Sequence, residues 1–294
     1  MLSFEIEKSI IVLYKKIKGV FYVTYSFKKA AAAVMASTAL LLAACGGGEE
    51  EQSGGTSEEK KVLNVGTEAT FAPFEFMDKG EVSGFDVDLL NAAAEEAGYE
   101  VNIQNTGWDS MLAGLQSNQL DIGMSGITIT DERKETYDFS VPYFESVTMI
   151  VYKEGTTIKG AEDLKGKKIG VQNGTTGQFA AENVVGQNNN AISKYETAAL
   201  MFQALQSGDV EAVVTDIAVA LEYAKSNPNA GVQTVTDDQF ATEYYGIAFP
   251  KGSEYKEDFD KALNTLYENG EYAEIYEKWF DEAPNMETLK KAAQ

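Results

Sequence analysis

The 294-residue chain has no histidine, one cysteine (Cys45) and one arginine (Arg133). Without histidine it lacks the usual general base and the commonest metal ligand. A single cysteine excludes an internal disulfide, a cysteine-based zinc site and a cysteine–histidine nucleophile. No metal and no cofactor is therefore expected. Basic residues are scarce, 24 Lys and Arg against 46 Asp and Glu, which leaves a net charge of −22. Residues 1–44 hold six lysines and two acids, so that segment is about +4 and the remainder is near −26. Such a body repels phosphate backbones and shows no basic patch, so no nucleic-acid partner is expected. Its acidity serves solubility, with steering of cationic ligands a secondary use. Long apolar runs are also missing, and no uninterrupted span suits a transmembrane helix.

What is present begins with an address. Lys28 and Lys29 precede an apolar run from Ala30 to Leu42, which ends in Leu42-Ala43-Ala44-Cys45. A basic start, a short apolar core and small residues before a cut site make a secretory signal peptide. The LAAC string resembles the bacterial lipobox, which implies a diacylated Cys45 as the mature N-terminus. Gly46-Gly47-Gly48-Glu49-Glu50-Glu51 and Gly54-Gly55 then read as a flexible tether. Residues 1–27 are an unusual N-terminal extension of the signal. About 230 residues remain, enough for two domains of roughly 100 residues each.

The body alternates short β runs with helical patterns, which predicts an α/β fold. Strands are expected at 61–65, 101–104, 120–124, 147–153, 168–171, 194–195, 212–215 and 245–249. Helices are expected after Asp86 and Asp109 as caps, at 176–185, 200–205 and 217–225, and as one amphipathic stretch over 257–280. Gly98 and Gly208 stop two of them. Asp86-Val87-Asp88 could hint at a metal pair, but no third ligand is nearby and capping is the preferred reading.

Ligands of open α/β sheets bind beyond the carboxyl ends of the strands. Four such ends carry hydroxyls, glycines and charges: Gly66–Phe71, Ser125–Arg133, Gln172–Gly177 and Asp216. In a chain that otherwise uses lysine, a lone arginine suggests a planar fork for a carboxylate; an incidental surface residue is the alternative. Asp216 could accept from an ammonium or simply cap a helix. The loop Gln172-Asn173-Gly174-Thr175-Thr176-Gly177 opens a helix and could hold an anion on its N–H groups. It lacks the Gly-Lys-Ser/Thr ending of a nucleotide loop. Phe71 and Trp108 flank strand ends or helix starts and could be core or site.

Taken together, GTEATFAPFEF (66–76), GFDVDLL (84–90), SGITITDERKETYDFSVPYF (125–144), GVQNGTTG (170–177), TD (215–216), YYGIAFPKGS (244–253) and YAEIYEKWF (272–280) resemble the bacterial extracellular solute-binding proteins of family 3. These are polar amino-acid-binding proteins of ABC importers. The match spans nearly the whole chain after the tether. It implies a two-lobed, type II periplasmic-binding-protein-like fold with two crossover hinge strands. Lobe 1 would be 60–146 plus 246–288, lobe 2 151–241, and the hinge 147–150 and 242–245.

The resemblance assigns Arg133 to a ligand carboxylate, with Thr128 and N–H groups near Thr128 and Thr175. It assigns Asp216 to the ammonium, with Ser125 and the Gly126 carbonyl. Phe71 and Trp108 would enclose the side chain and Glu68 would read its tip. Gln172 stands where glutamine-specific relatives often carry lysine, and Thr176 completes the set. An acidic pocket without that lysine favours arginine, lysine or histidine over glutamine. The expected partners are a small amino acid, the permease subunits of an importer and a membrane reached through the lipid on Cys45, with the receptor itself a monomer on the outer face of the cell membrane. A dehydratase-like enzyme on the same fold and a sensor feeding a kinase are the competing classes.

Overall fold

The computed structural model describes residues 60–293. The signal peptide, Cys45 and the tether expected at 1–59 lie outside the described residues.

Two sheets form two lobes. In the first, Val62–Thr67 lies between Glu100–Asn105 and Ile122–Gly123, all three parallel. Ala248–Pro250 and Tyr137–Phe139 extend that sheet antiparallel. In the second, Ile192–Tyr195, Ile169–Gln172 and Ala212–Asp216 run parallel, and Phe144–Lys153 joins antiparallel beside Ala212–Asp216. Val232–Val235 and Thr242–Tyr245 both pair with that ten-residue strand. The inner parallel strands Ile169–Gln172 and Ala212–Asp216 are buried on both faces, and the second carries the continuous apolar run Ala212-Val213-Val214. Helices supply the crossovers between parallel neighbours, so the strand carboxyl ends of each sheet come out on one side.

The Phe144–Lys153 strand crosses between the lobes. Its first residues, Phe144 to Val147, pair with Thr242–Tyr245. Thr148, Met149 and Ile150 pair with Asp216, Thr215 and Val214 and so belong to the second sheet.

The core of the first lobe is aromatic. The fully buried Phe74 ring lies within 6.1 Å of the Phe71, Phe85, Phe144, Tyr245 and Phe280 rings. Burying such a ring contributes about 2–3 kcal/mol, and edge-to-face pairs add to it. This cluster fixes the loop after Val62–Thr67 against Phe144 and Tyr245 at the crossover.

Several local readings change. Gly84, not Asp86, is the N-cap residue of Phe85–Ala97. A Cβ on Gly84 would sit 1.9 Å from the Phe74 carbonyl oxygen, at φ 144°, so only glycine fits there. The helix therefore starts two residues earlier than an Asp86 cap would place it, and Asp86 points into the core. Asp109 likewise lies in the first turn of Trp108–Gln116, which Gly107 caps. The amphipathic stretch over 257–280 is two helices, Lys256–Asn269 and Glu271–Phe280, broken at Gly270 with φ 91°. A small antiparallel sheet of Thr70–Phe71, Glu75–Asp78 and Glu81–Ser83 has no counterpart in the sequence reading.

Candidate functional site

The strand ends of both sheets converge on one cavity. Glu68, Phe71, Trp108, Ser125, Gly126, Thr128 and Arg133 line it from the first lobe; Gln172, Thr175, Thr176 and Asp216 line it from the second. All eleven residues singled out from the sequence thus meet at one place. Gly177 and Thr215 complete the lining. A Cβ on Gly177 would approach the Val214 carbonyl oxygen at 2.7 Å, so this glycine lets the Thr176–Val185 helix lie close against its strand.

Arg133 reaches across. Its two terminal nitrogens donate to the carbonyls of Thr128, at 2.8 Å, and Gly174, at 3.1 Å. Its guanidinium carbon is 5.1 Å from the centre of the Trp108 ring, a cation–π distance. Trp108 therefore packs on the protein's own cation. Burial lowers the Arg133 pKa, against the charges of Glu243 and Asp216, and an arginine so placed stays protonated.

The rest of the lining is acidic. Glu68, 2 % exposed, accepts from Gln172 Nε2 at 2.5 Å and from the Thr70 hydroxyl. Burial raises its pKa, and these two hydrogen bonds oppose the rise. Asp216 stands at the start of Ile217–Ser226, yet its side chain makes no cap bond. One of its oxygens, Oδ1, is buried without a partner. Burial, and then the charge of Glu243, pushes Asp216 up to about 7. A desolvated carboxylate with an unused oxygen is a prepared acceptor for a cation.

Thr175 caps the Thr176–Val185 helix, accepting from Gln178 N and donating to the Gln172 carbonyl. Its hydroxyl is thus committed, and the helix's free N–H groups are what the loop can offer an anion. Phe71 lies over Gly126; a Cβ there would come within 2.9 Å of the ring.

Sequence reasoning missed Glu243. From the Thr242–Tyr245 strand, its Oε2 accepts from the hydroxyls of Thr128, at 2.9 Å, and Thr176, at 2.8 Å. One carboxylate at the crossover thereby ties a residue of each lobe. Nothing local marks it, since its partners lie 115 and 67 positions away in the chain.

The fold and the cavity define a two-lobed binding protein whose site lies between the lobes. The model of the bacterial extracellular solute-binding proteins, family 3, matches residues 63–282, and the chain belongs to that family. It is 42% identical over 223 residues to the "Probable histidine-binding protein" of Neisseria gonorrhoeae, covering 75% of this chain and 83% of that one. Among solved structures it is similar to the arginine-, lysine-, histidine-binding protein ArtJ of Geobacillus stearothermophilus, with 53% identity and a TM-score of 0.76 over 79% of this chain and 100% of that one. An ancestral arginine-binding protein bound to glutamine matches at 48% identity and a TM-score of 0.72, over 76% of this chain and 100% of that one.

Proposed function

We propose that this protein is the substrate-binding component of an amino-acid ABC importer, and that it clamps an L-amino acid with a cationic side chain between its lobes. The observation that carries this reading is the cavity's charge set: one arginine fork facing two buried carboxylates, Asp216 and Glu68. A zwitterion leaving water needs both of its charges paired. Arg133 answers the carboxylate, with the N–H groups of the Thr128 and Thr176 segments. Asp216 answers the ammonium, with Ser125 and the Gly126 carbonyl. Glu68 remains for a second positive charge, on an arginine, lysine or histidine side chain. The relatives named for binding these three amino acids support the preference.

Glutamine is the second reading. The Gln172 amide beside Glu68 offers the donor–acceptor pair that a ligand amide needs, and an ancestral relative is described as bound to glutamine. A dehydratase activity has weaker support, because every ionisable group lining the cavity is assigned to a charge of the ligand: Arg133 and Asp216 to its backbone groups and Glu68 to its side chain. We assign the hinge to Phe144–Val147 and Thr242–Tyr245, with closure of the lobes on the ligand. The protein then works as a monomer on the outer face of the membrane, held by the lipid on Cys45, and hands its cargo to permease subunits.

Calorimetry of the purified protein against the twenty amino acids, after unfolding and refolding to strip bound ligand, tests the reading. Micromolar or tighter binding of arginine, lysine or histidine is expected. Binding of glutamine alone retains the receptor and removes the substrate preference. Binding of none removes the transport reading.

A further inference from the structure

Behind the cavity floor lie two acids that the ligand reading does not use. Glu75, from Glu75–Asp78, is 0 % exposed, and Asp86, from Phe85–Ala97, is 2 % exposed. Glu75 Oε1 accepts from the Ser125 hydroxyl at 2.8 Å. Asp86 Oδ2 accepts from the Gly126 N–H at 2.9 Å and the Tyr143 hydroxyl at 2.8 Å. The oxygens left over, Glu75 Oε2 and Asp86 Oδ1, accept from no donor among the described residues, and the two carboxyls, held on the adjacent residues Ser125 and Gly126, lie close enough for each to act on the other's charge.

The titratable groups facing this pair are Glu68, Tyr143 and Tyr272, and none of them supplies a positive charge. Two ionised carboxylates in contact at such a site repel strongly, and one stays protonated. Burial raises both groups, and Asp86 accepts from two donors, the Gly126 N–H and the Tyr143 hydroxyl, where Glu75 accepts from Ser125 alone, so the charge is better held on Asp86 and the proton resides mainly on Glu75.

Ser125 follows from this. Its single hydroxyl proton goes to Glu75, and it already accepts from the Glu68 N–H at 3.1 Å. One lone pair remains for the cavity, and a lone pair can only accept. We propose that Glu75 and Asp86 share one proton and act as a positioning pair, fixing Ser125 as an acceptor toward the ligand's ammonium and Gly126 in its place beside it. The ammonium half of this inference rests on the amino-acid reading of the cavity; the shared proton does not.

Glu75→Gln separates the two. Its amide oxygen accepts from Ser125 and its amide N–H donates to Asp86, so it reproduces the protonated pair at every pH. In the full chain without ligand, wild-type stability should fall as pH rises above about 5, because folded Glu75 keeps a proton that the unfolded chain releases. Glu75→Gln lacks that slope, so its melting temperature should gain on wild type by about 3 °C per pH unit. A difference constant from pH 5 to 9 overturns the shared proton.

Binding is read with L-arginine and its des-amino analogue, 5-guanidinopentanoate. Glu75→Gln should stay within about 3-fold of wild type, while Glu75→Leu should lose about 10-fold for arginine and little for the analogue. Equal losses for both ligands, or Glu75→Gln as weak as Glu75→Leu, overturn the positioning role. If Glu75→Leu does not fold, Glu75→Met, nearer in shape to glutamate and equally unable to accept from Ser125, carries the same comparison. If wild type binds no arginine, the amino-acid reading and the ammonium role fail together, and the melting curves still decide the shared proton.

Discussion

Asp216 and Asp86 are both buried aspartates with raised pKa values, about 7 and about 6, and each keeps one carboxylate oxygen without a conventional partner. They differ in what faces that oxygen. Asp86 faces the Glu75 carboxyl, and a shared proton resolves the repulsion inside the fold. Asp216 lines the cavity; the Tyr245 hydroxyl and the Arg133 charge act on the carboxylate, but among the described residues nothing donates to Oδ1. A buried carboxylate answered from within sets geometry; one left unanswered at a cavity wall is poised for an external cation. Glu68 is an intermediate case: it lines the cavity, but its oxygens already accept from Thr70 and Gln172, so it offers a ligand its charge and its remaining lone pairs.

The comparison can be broken from the ligand side. Arg133→Ala and Asp216→Ala each leave one ligand charge buried and unpaired, and should cost at least about 100-fold in arginine affinity by calorimetry. A loss of a few-fold would mean that Asp216 is as self-contained as Asp86. Glu68→Gln removes the charge meant for the side chain. It should weaken arginine by about 10-fold or more and leave glutamine nearly unchanged.

Asp216 also predicts a pH profile. A bound ammonium favours its ionised form, so arginine affinity should fall by up to about 10-fold per unit as pH drops below 7. Asp216→Asn should flatten that profile, and an unchanged slope would assign it to another group. The smallest effect belongs to Glu243. Glu243→Ala releases the Thr128 and Thr176 hydroxyls and should weaken binding by about 5-fold, mainly through faster ligand release in stopped flow.

The sequence displayed most of the scaffold, because parallel strands and their helices carry periodic signals. The Thr176–Val185 helix and the strand ending at Asp216 could be read from apolar runs, caps and glycines. The Thr70–Ser83 sheet escaped because its strands are two to four residues long, too short for a period to show. Asp86 misled because an acid near a helix start looks the same whether it caps or points inward. Only its contacts with Gly126 and Tyr143 decide. The eleven cavity residues were legible because strand ends are where open sheets bind. Glu243 and Glu75 were not, because their roles lie in partners far away in the chain.

The most direct test of the acidic pocket compares L-arginine with L-citrulline, which has nearly the same shape and a neutral side-chain tip. Calorimetry on the ligand-stripped protein at pH 8 should find arginine tighter by at least about 100-fold, since citrulline leaves the Glu68 carboxylate without its cation. Equal affinities, or a preference for citrulline, would contradict a cation-selecting site and favour a receptor for a side-chain amide.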